Sequence, residues 1–291
     1  MINGLLIVNA FLNTPQVKDT YDLLTAGAKR AGIRMERATN AQIFVDSGTG
    51  RIMCELPWYD FILFWNKDVF LGRALERAGY RLFNPSDAIE ACDNKALTFE
   101  RLEGCCRVPK TIKIPMTFCN VGYDDFSFEE YLGSQLGYPY IIKECYGSYG
   151  GQVYLANDPA DARRILKDIE GIDCLAQQFI KESSGRDLRA YVVGDRVVAA
   201  MERKNAADFR SNITNGGTAD AYMVTKEQEE MAVRAVKKLG LDFAGIDLLL
   251  GKDDEPMLCE VNSNAQFKGL YGATGIDITD ALFEHIRNCS L

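Results

Sequence analysis

The chain holds 291 residues, 47% of them hydrophobic and 25% charged, with a formal net charge of −8 and nine cysteines. This is the composition of a folded globular protein with room for two or three packed subdomains. The acidic balance argues against non-specific nucleic-acid binding, and the lack of any apolar run of about eighteen residues argues against a membrane-spanning helix.

The start, MINGLLIVNAF, has neither a basic stretch nor a small-residue cleavage site and reads as a strand rather than a signal peptide. Its core, GLLIVNAF (4–11), is a continuous apolar run, the pattern of a strand buried on both faces. Helical spacing through Val17, Tyr21, Leu24 and Ala28 predicts a helix over 16–31, stopped by Gly32. A strand at 33–38, a buried strand FILFWN (61–66), a helix over 69–79 and a short return strand YRLFN follow. Strands alternating with helices predict a parallel α/β subdomain over 1–88, and no Gly-x-Gly-x-x-Gly follows its first strand.

From 89 to 176 come a helix with DNKALTFERLEG, a helix near 127–136, the strand YPYIIKE, the loop CYGSYGGQ, the strand VYLAN and a helix over 158–170. From 177 to 291, QQFI, RDLRAYVVG and RVVAAMERK read as antiparallel strands with a tight turn at 194–195. A helix over 225–239 ends at Gly240 and leads into a hairpin. None of the nine cysteines forms Cys-x-x-Cys, and only Cys105 and Cys106 are close in sequence. That usage fits a reducing cytoplasm, the expected location, and argues against structural zinc. The single histidine, His285, lies on a C-terminal amphipathic pattern, which excludes a His-based triad elsewhere.

The hairpin FAGIDLLLGKDDEPMLCEVNSN (243–264) carries acids where apolar residues are expected. With a turn at 251–256, Leu250 faces Met257, Asp247 faces Glu260, and Asn262 shares their face. Opposed carboxylates repel, and burial sharpens the repulsion, so a cation between them is expected. Two carboxylates and an amide oxygen suit Mg²⁺, or Mn²⁺, completed by phosphate oxygens. The exposed polar face of an edge hairpin gives the same pattern.

A nucleotide then needs a phosphate cradle. The Walker pattern is absent, but Lys143 precedes a loop in which Gly147, Ser148, Gly150 and Gly151 present backbone N–H groups. Lys95 sits near a helix start. Phe179 and Ile180 in QQFI are placed to line an adenine slot, and Asp187 follows where a carboxylate accepts ribose hydroxyls. Arg210 and Asn212 precede a Gly pair, and an arginine there suits a transferring phosphoryl group.

The ordered set Asp93-Asn94-Lys95, Lys143, GSYGG, QQFI, GRDLR, DFRSN…NGG, AGIDLL and EVN resembles the ATP-grasp superfamily, and within it the RimK-like carboxylate–amine ligases. The resemblance covers about 89–291, and 1–88 more loosely resembles the pre-ATP-grasp domain. It implies an ATP-grasp fold, α/β overall and α+β toward its C-terminal part, behind a Rossmann-like N-terminal domain. Its implied units are 1–88, a central lid over 89–176 and a C-terminal subdomain over 177–291. It also implies an ADP-forming ligase that phosphorylates a carboxylate and lets an amine displace the phosphate. The substrates would be an amino acid and a peptide, protein tail or small cofactor. Relatives that assemble as dimers or tetramers imply a homo-oligomer.

Carried over by position, Lys95 and Lys143 contact phosphates and adenine, while Gln178 and Phe179 give adenine backbone bonds. Asp187 meets the ribose, and Arg210, Ser211 and Asn212 lie at the phosphate end. Asp247, Glu260 and Asn262 ligate two Mg²⁺, with Glu260 shared. One departure stands out. Such ligases follow Glu-Val-Asn with a small residue and Ser-Pro-Gly, whereas here EVNSNAQFKG brings Gln266, Phe267 and Lys268. A different substrate is the expectation, with Lys268 meeting a substrate carboxylate or staying solvated. Two rival readings are a regulatory nucleotide-binding module and a phosphotransfer without amide formation.

Overall fold

The computed structural model describes residues 2–148, 150–213 and 216–290. Strands β1 (Asn3–Val8) and β3 (Phe61–Trp65) are largely buried, as their unbroken apolar runs require. With β2 (Arg34–Thr39) and β4 (Leu82–Phe83) they form a parallel sheet in the order β2-β1-β3-β4. Helix α1 (Pro15–Arg30) starts at Thr14, whose hydroxyl accepts from the Val17 N–H, and Pro15 takes a position with no intrahelical donor to lose. Alternation along β1 and β3 sorts their side chains into two cores. Leu5, Ile7, Ile62 and Phe64 face one of them, which α2 (Val69–Arg77) covers. Leu6, Val8, Phe61, Leu63 and Trp65 face the other, and they share it with Tyr191, Phe243, Phe267 and Phe283. The N-terminal sheet is therefore joined to the C-terminal part of the chain by one continuous core.

The central sheet is antiparallel, in the order β5-β8-β6-β7: β5 (Thr111–Lys113), β6 (Tyr140–Glu144), β7 (Val153–Ala156) and β8 (Cys174–Gln178). Helices α5 (Ser127–Leu136) and α6 (Pro159–Asp168) cover one face through Leu132, Ala162, Ile165 and Leu166. The other face is left for the cleft described below.

The C-terminal sheet has five antiparallel strands in the order β11-β10-β9-β12-β13. They are β9 (Arg186–Val193), β10 (Arg196–Lys204), β11 (Thr218–Ala221), β12 (Phe243–Leu250) and β13 (Pro256–Asn262). Helix α7 (Lys226–Leu239) is held at its start by a capping box of Thr225 and Gln228 and ends at Gly240 in the left-handed region. Helices α8 (Lys268–Thr274) and α9 (Ile278–Ser290) close the chain.

Helices α3 (Ser86–Asp93) and α4 (Lys95–Arg101) join the core of α7 and the C-terminal sheet through Ala88, Ala91 and, just past α4, Leu102. Two expectations come out differently. Gln177 and Gln178 belong to the end of β8, and Phe179 and Ile180 lie past it, so QQFI is a strand end rather than a strand. The hairpin turn is one residue tighter than supposed: Leu250 pairs with Pro256, not Met257. A bulge at Cys259 absorbs the difference and restores Asp247 opposite Glu260.

Candidate active site

The central and C-terminal sheets line an open cleft whose empty space, the part open to solvent included, is about 840 Å³. It is lined by Lys95, Lys143, Gly147, Ser148, Gly150, Gln178, Phe179, Ile180, Asp187, Arg210, Ser211, Asn212, Asp247 and Glu260. Of the residues expected at the site, Gly151 and Asn262 are outside this lining. Asn262 pairs with Gly245 in the sheet, two residues beyond Glu260, and its amide Nδ2 is buried with no hydrogen-bond partner.

The floor is a chain of alternating charges. Arg203, 4% exposed, grips Asp187 through two bonds of 2.7 and 2.5 Å and reaches Asp247 at 3.1 Å. Arg189 grips the same Asp247 at 2.5 and 2.6 Å. Burial opposes ionisation of Asp247, but Arg189 and Arg203 outweigh it and hold its carboxyl below the usual carboxylate range. Burial likewise opposes the charge on Arg203, and Asp247 and Asp187 overcome it, so its pKa is raised. The cation expected beside Asp247 is thus partly supplied by the chain itself. Arg189 and Arg203 escaped the sequence reading because their roles depend on β9 pairing with both β10 and β12. The available signal was spacing: Asp187 and Arg189 lie two apart on one strand face.

The opposite side of the cleft is far less committed. Lys143 is 7% exposed on β6, and its Nζ lies 3.4 Å from Cys259 Sγ. Among the described residues it forms no salt bridge, so a buried ammonium faces the cleft without an acid. Burial pushes the Cys259 thiol up, although Lys143 opposes the shift. Among the described residues, Glu260, beside Asp247 on β13, forms one salt bridge, with the Lys95 ammonium at 3.8 Å. Lys95 opens α4 under a cap from Asn94, whose Oδ1 accepts from Ala96 and Leu97 N–H groups. Its Nζ donates to the Gly147 carbonyl at 3.2 Å, which fastens the glycine loop over the cleft.

That loop is also held from below. Arg210 pairs with Asp208 at 2.7 Å and donates to the Gly150 carbonyl at 2.8 Å. The Asp208 carboxyl is drawn below its usual range by Arg210. Gly150 adopts φ +73, and a Cβ there would lie 2.7 Å from Asn212 Oδ1, so only glycine lets the loop close on the Arg210–Asn212 segment. Tyr149 of GSYGG, and Thr214 and Asn215 of the DFRSN…NGG stretch, lie outside the described residues.

At the apolar end, Phe179 meets Phe209 edge-on at 6.4 Å, and Ile180 is 7% exposed. The Gln178 N–H is already donated to the Lys110 carbonyl at 2.8 Å. The peptide of Phe179, past the strand end, is the freer of the two expected adenine contacts. The segment after β13 is tied to the N-terminal domain: Gln266 accepts from the Thr20 hydroxyl at 2.5 Å, and Lys268 pairs with Asp19. Lys268 is thus an exposed lysine in a surface pair with Asp19.

The donor set bears on the metal. Asp247, Glu260 and Asn262 offer hard oxygens, and Glu260 is uncommitted apart from Lys95, so the residues fit a divalent cation such as Mg²⁺. Two arginines beside Asp247 leave the floor close to neutral, so the ion would be held mainly when phosphate oxygens arrive with it.

Comparison with known proteins agrees with this architecture. Residues 97–286 match the RimK-like ATP-grasp domain, and the chain belongs to that family. A probable alpha-L-glutamate ligase from Xanthomonas euvesicatoria pv. vesicatoria is 37% identical over 219 residues, covering 74% of this chain and 71% of that protein. The ATP-grasp ligase PsnB, solved with a phosphomimetic variant of its minimal precursor, Mg and ADP, superposes with a TM-score of 0.71 at 16% identity, covering 100% of this chain and 99% of PsnB. D-alanine–D-alanine ligase from Bacillus anthracis superposes with a TM-score of 0.73 at 17% identity, covering 100% and 97%. The chain is an ATP-dependent ligase that joins a carboxylate to an amine. Among the described residues, no helix is long and apolar enough to cross a membrane.

Proposed function

We propose that the chain condenses a free amino acid of the glutamate type, as the amine, with a carboxylate on a peptide, protein tail or small cofactor. The observation that carries this reading is the buried Lys143, without a salt bridge among the described residues, in a cleft whose floor is already charge-balanced. A negatively charged ligand with its own counter-ion completes that arrangement, and a nucleoside triphosphate is such a ligand.

In this reading Lys95 and Lys143 hold the phosphates, Phe179 and Ile180 line the adenine slot beside the Gln178 strand end, and Asp187 meets the ribose. Asp187 keeps oxygen lone pairs for that role beyond those Arg203 uses. Gly147, Ser148, Gly150 and Gly151 form the lid. Arg210, Ser211 and Asn212 occupy the transfer end. Asp247, Glu260 and Asn262 would hold two Mg²⁺, or Mn²⁺, with Glu260 between them. Bound there, the ions would screen the repulsion between phosphate and the incoming carboxylate.

A substrate carboxylate oxygen attacks the γ-phosphorus, and ADP leaves with the bridging oxygen. The amine nitrogen then attacks the acyl carbon, the phosphate departs, and the nitrogen loses a proton. Lys95 and Arg210 keep the lid shut through the Gly147 and Gly150 carbonyls, which shields the acyl phosphate from water. The cytoplasm, where ATP is plentiful and thiols stay reduced, is the compartment this chemistry suits.

The test is ADP release with Mg-ATP across a matrix of amino acids, short peptides and carboxylate metabolites, with mass spectrometry of each positive well. The expected result is ADP plus a product lighter by one water than its two substrates. ADP without a new amide in every positive well, or no nucleotide binding at all, would overturn the reading.

A further inference from the structure

Away from the nucleotide cleft, a second group of donor atoms meets at the start of β12. Among the described residues, the His, Cys, Asp or Glu side chains that gather three ligand atoms within 4.8 Å of one another are Asp242, His285 and Cys289. None of the three lines the cleft. Asp242 stands immediately before β12 and is 8% exposed. His285 and Cys289 lie four residues apart on α9, one turn apart on the same face.

His285 Nε2 is 3.2 Å from Asp242 Oδ1 and 3.7 Å from Cys289 Sγ, so both partners converge on one ring nitrogen. A nucleophile relay would instead put the carboxylate and the thiol on opposite nitrogens. A proton on Nε2 can point at the oxygen or at the sulfur, and not squarely at both. A cation shared by the three atoms satisfies each of them. The edge lengths also fit: tetrahedral zinc with ordinary bonds separates nitrogen from oxygen by about 3.3 Å and nitrogen from sulfur by about 3.6 Å. Cys289 is exposed, which leaves its sulfur room to close the oxygen–sulfur edge.

The surroundings already orient these groups. The His285 ring meets Phe83 edge-on at 6.2 Å, and a Cβ on Gly194 would lie 2.9 Å from its Nδ1. Arg81 donates to both Asp242 oxygens at 2.9 and 3.2 Å, and Asn84 Oδ1 accepts from the Asp242 N–H at 2.7 Å. A ligating carboxylate is commonly held by such outer bonds, and each oxygen keeps a lone pair beyond the one Arg81 uses. Arg81 also offsets the carboxylate's charge. The sulfur of Cys289 must then supply the anion that decides affinity.

We propose that Asp242, His285 and Cys289 bind one transition-metal cation of the zinc type, with water as the fourth ligand. Thiolate and imidazole select such an ion over Mg²⁺, which separates this site from the oxygen ligands Asp247 and Glu260. Cys-x-x-Cys spacing plays no part in it. On binding, the Cys289 thiol gives its proton to solvent and the sulfur bonds to the metal. The ion ties α9 to the start of β12 and, through Arg81 and Asn84 on either side of β4, to the N-terminal sheet. It is a staple between the first and last thirds of the chain, and it is independent of the ligase reading.

The experiment titrates Zn²⁺ into the reduced, metal-stripped full chain against a chromophoric chelator, and repeats the titration with Co²⁺. Cys289→Ser removes the sulfur at an exposed position where folding is not at stake, and His285→Gln removes the ring. The double variant Cys105→Ser, Cys106→Ser controls for the other close pair of thiols. We expect one equivalent of Zn²⁺ bound to wild type with a Kd of about 1 μM or tighter, about one proton released, and no competition from millimolar Mg²⁺. Zn²⁺ should raise the melting midpoint of wild type, whereas Mg²⁺ in the absence of nucleotide should not. Cys289→Ser and His285→Gln should each weaken Zn²⁺ by about tenfold or more, Cys289→Ser should lose the thiolate-to-cobalt absorption band, and the control should match wild type. Binding to wild type weaker than about 1 μM overturns the site. So does a Cys289→Ser variant that keeps the affinity or the cobalt band, or a control variant that loses them.

Discussion

Two sets of charges in the cleft solve opposite problems. On the floor, Asp187, Arg203, Asp247 and Arg189 satisfy one another through short bonds within the C-terminal sheet. Lys143, across from them on the central sheet, and Glu260, beside Asp247 on β13, line the same cleft with few partners. The floor set is a scaffold whose charges hold strands in register. The second set is a receptor whose charges await a ligand. Replacing a floor residue should therefore damage folding, while replacing a receptor residue should spare folding and damage binding or turnover.

The largest effect should fall on the floor. Arg203→Met leaves Asp187 facing an apolar side chain and strips one of two cations from Asp247. Breaking such a buried set costs about 3–5 kcal/mol. Urea unfolding measures this, and a loss within about 0.5 kcal/mol of zero would show that the network contributes nothing to the fold. Glu260→Gln is the counterpart in the receptor set. It keeps shape, should leave the unfolding midpoint unchanged and should lower Mg²⁺-dependent turnover by about 10²–10³-fold. An equal loss of stability would dissolve the distinction between the two sets. Lys143→Met should be milder, weakening ATP binding by about tenfold or more while folding stability holds or rises, since an unpaired buried charge is gone. Calorimetric titration with Mg-ATP reads the first and a melting curve the second.

This division explains what the sequence disclosed. The Asp247–Glu260 pairing is local, set by a single hairpin, and parity along its strands was enough to place both residues on one face. The supposed turn was wrong by one residue, and the bulge at Cys259 made the pairing right for a different reason than simple counting. The arginines were hidden because Arg189 on β9 meets Asp247 on β12 at a sequence separation of 58, and β10 carries its own bulge near Val197 and Ala199. The hydrogen bond from Asn264 to the Asn66 carbonyl was less legible still, since it joins the first and last thirds of the chain. Helix α8 went unread because seven residues containing two glycines carry little helical signal.

The smallest expected effect is also the most specific to the floor. Asp247 titrates below its ordinary value because Arg189 and Arg203 overcome the effect of burial. Its folded pKa is depressed, so the stabilisation is complete above the ordinary carboxylate range and is lost as pH falls through the lowered value. In that acid window the unfolded chain binds a proton that the folded chain refuses, and stability rises with pH. Asp247→Asn removes this dependence, and the acid limb of its stability curve should be shallower by up to about 1.4 kcal/mol per pH unit. The slopes must be compared rather than the absolute stabilities, because the substitution also leaves two guanidinium groups short of an anion. Asp208, lowered by Arg210, supplies the same slope to both proteins and cancels. Between about pH 5 and 8 the two curves should run parallel. If the acid limb of Asp247→Asn is as steep as that of wild type, Asp247 is not the ionised hub of the floor, and the contrast between scaffold and receptor fails at its centre.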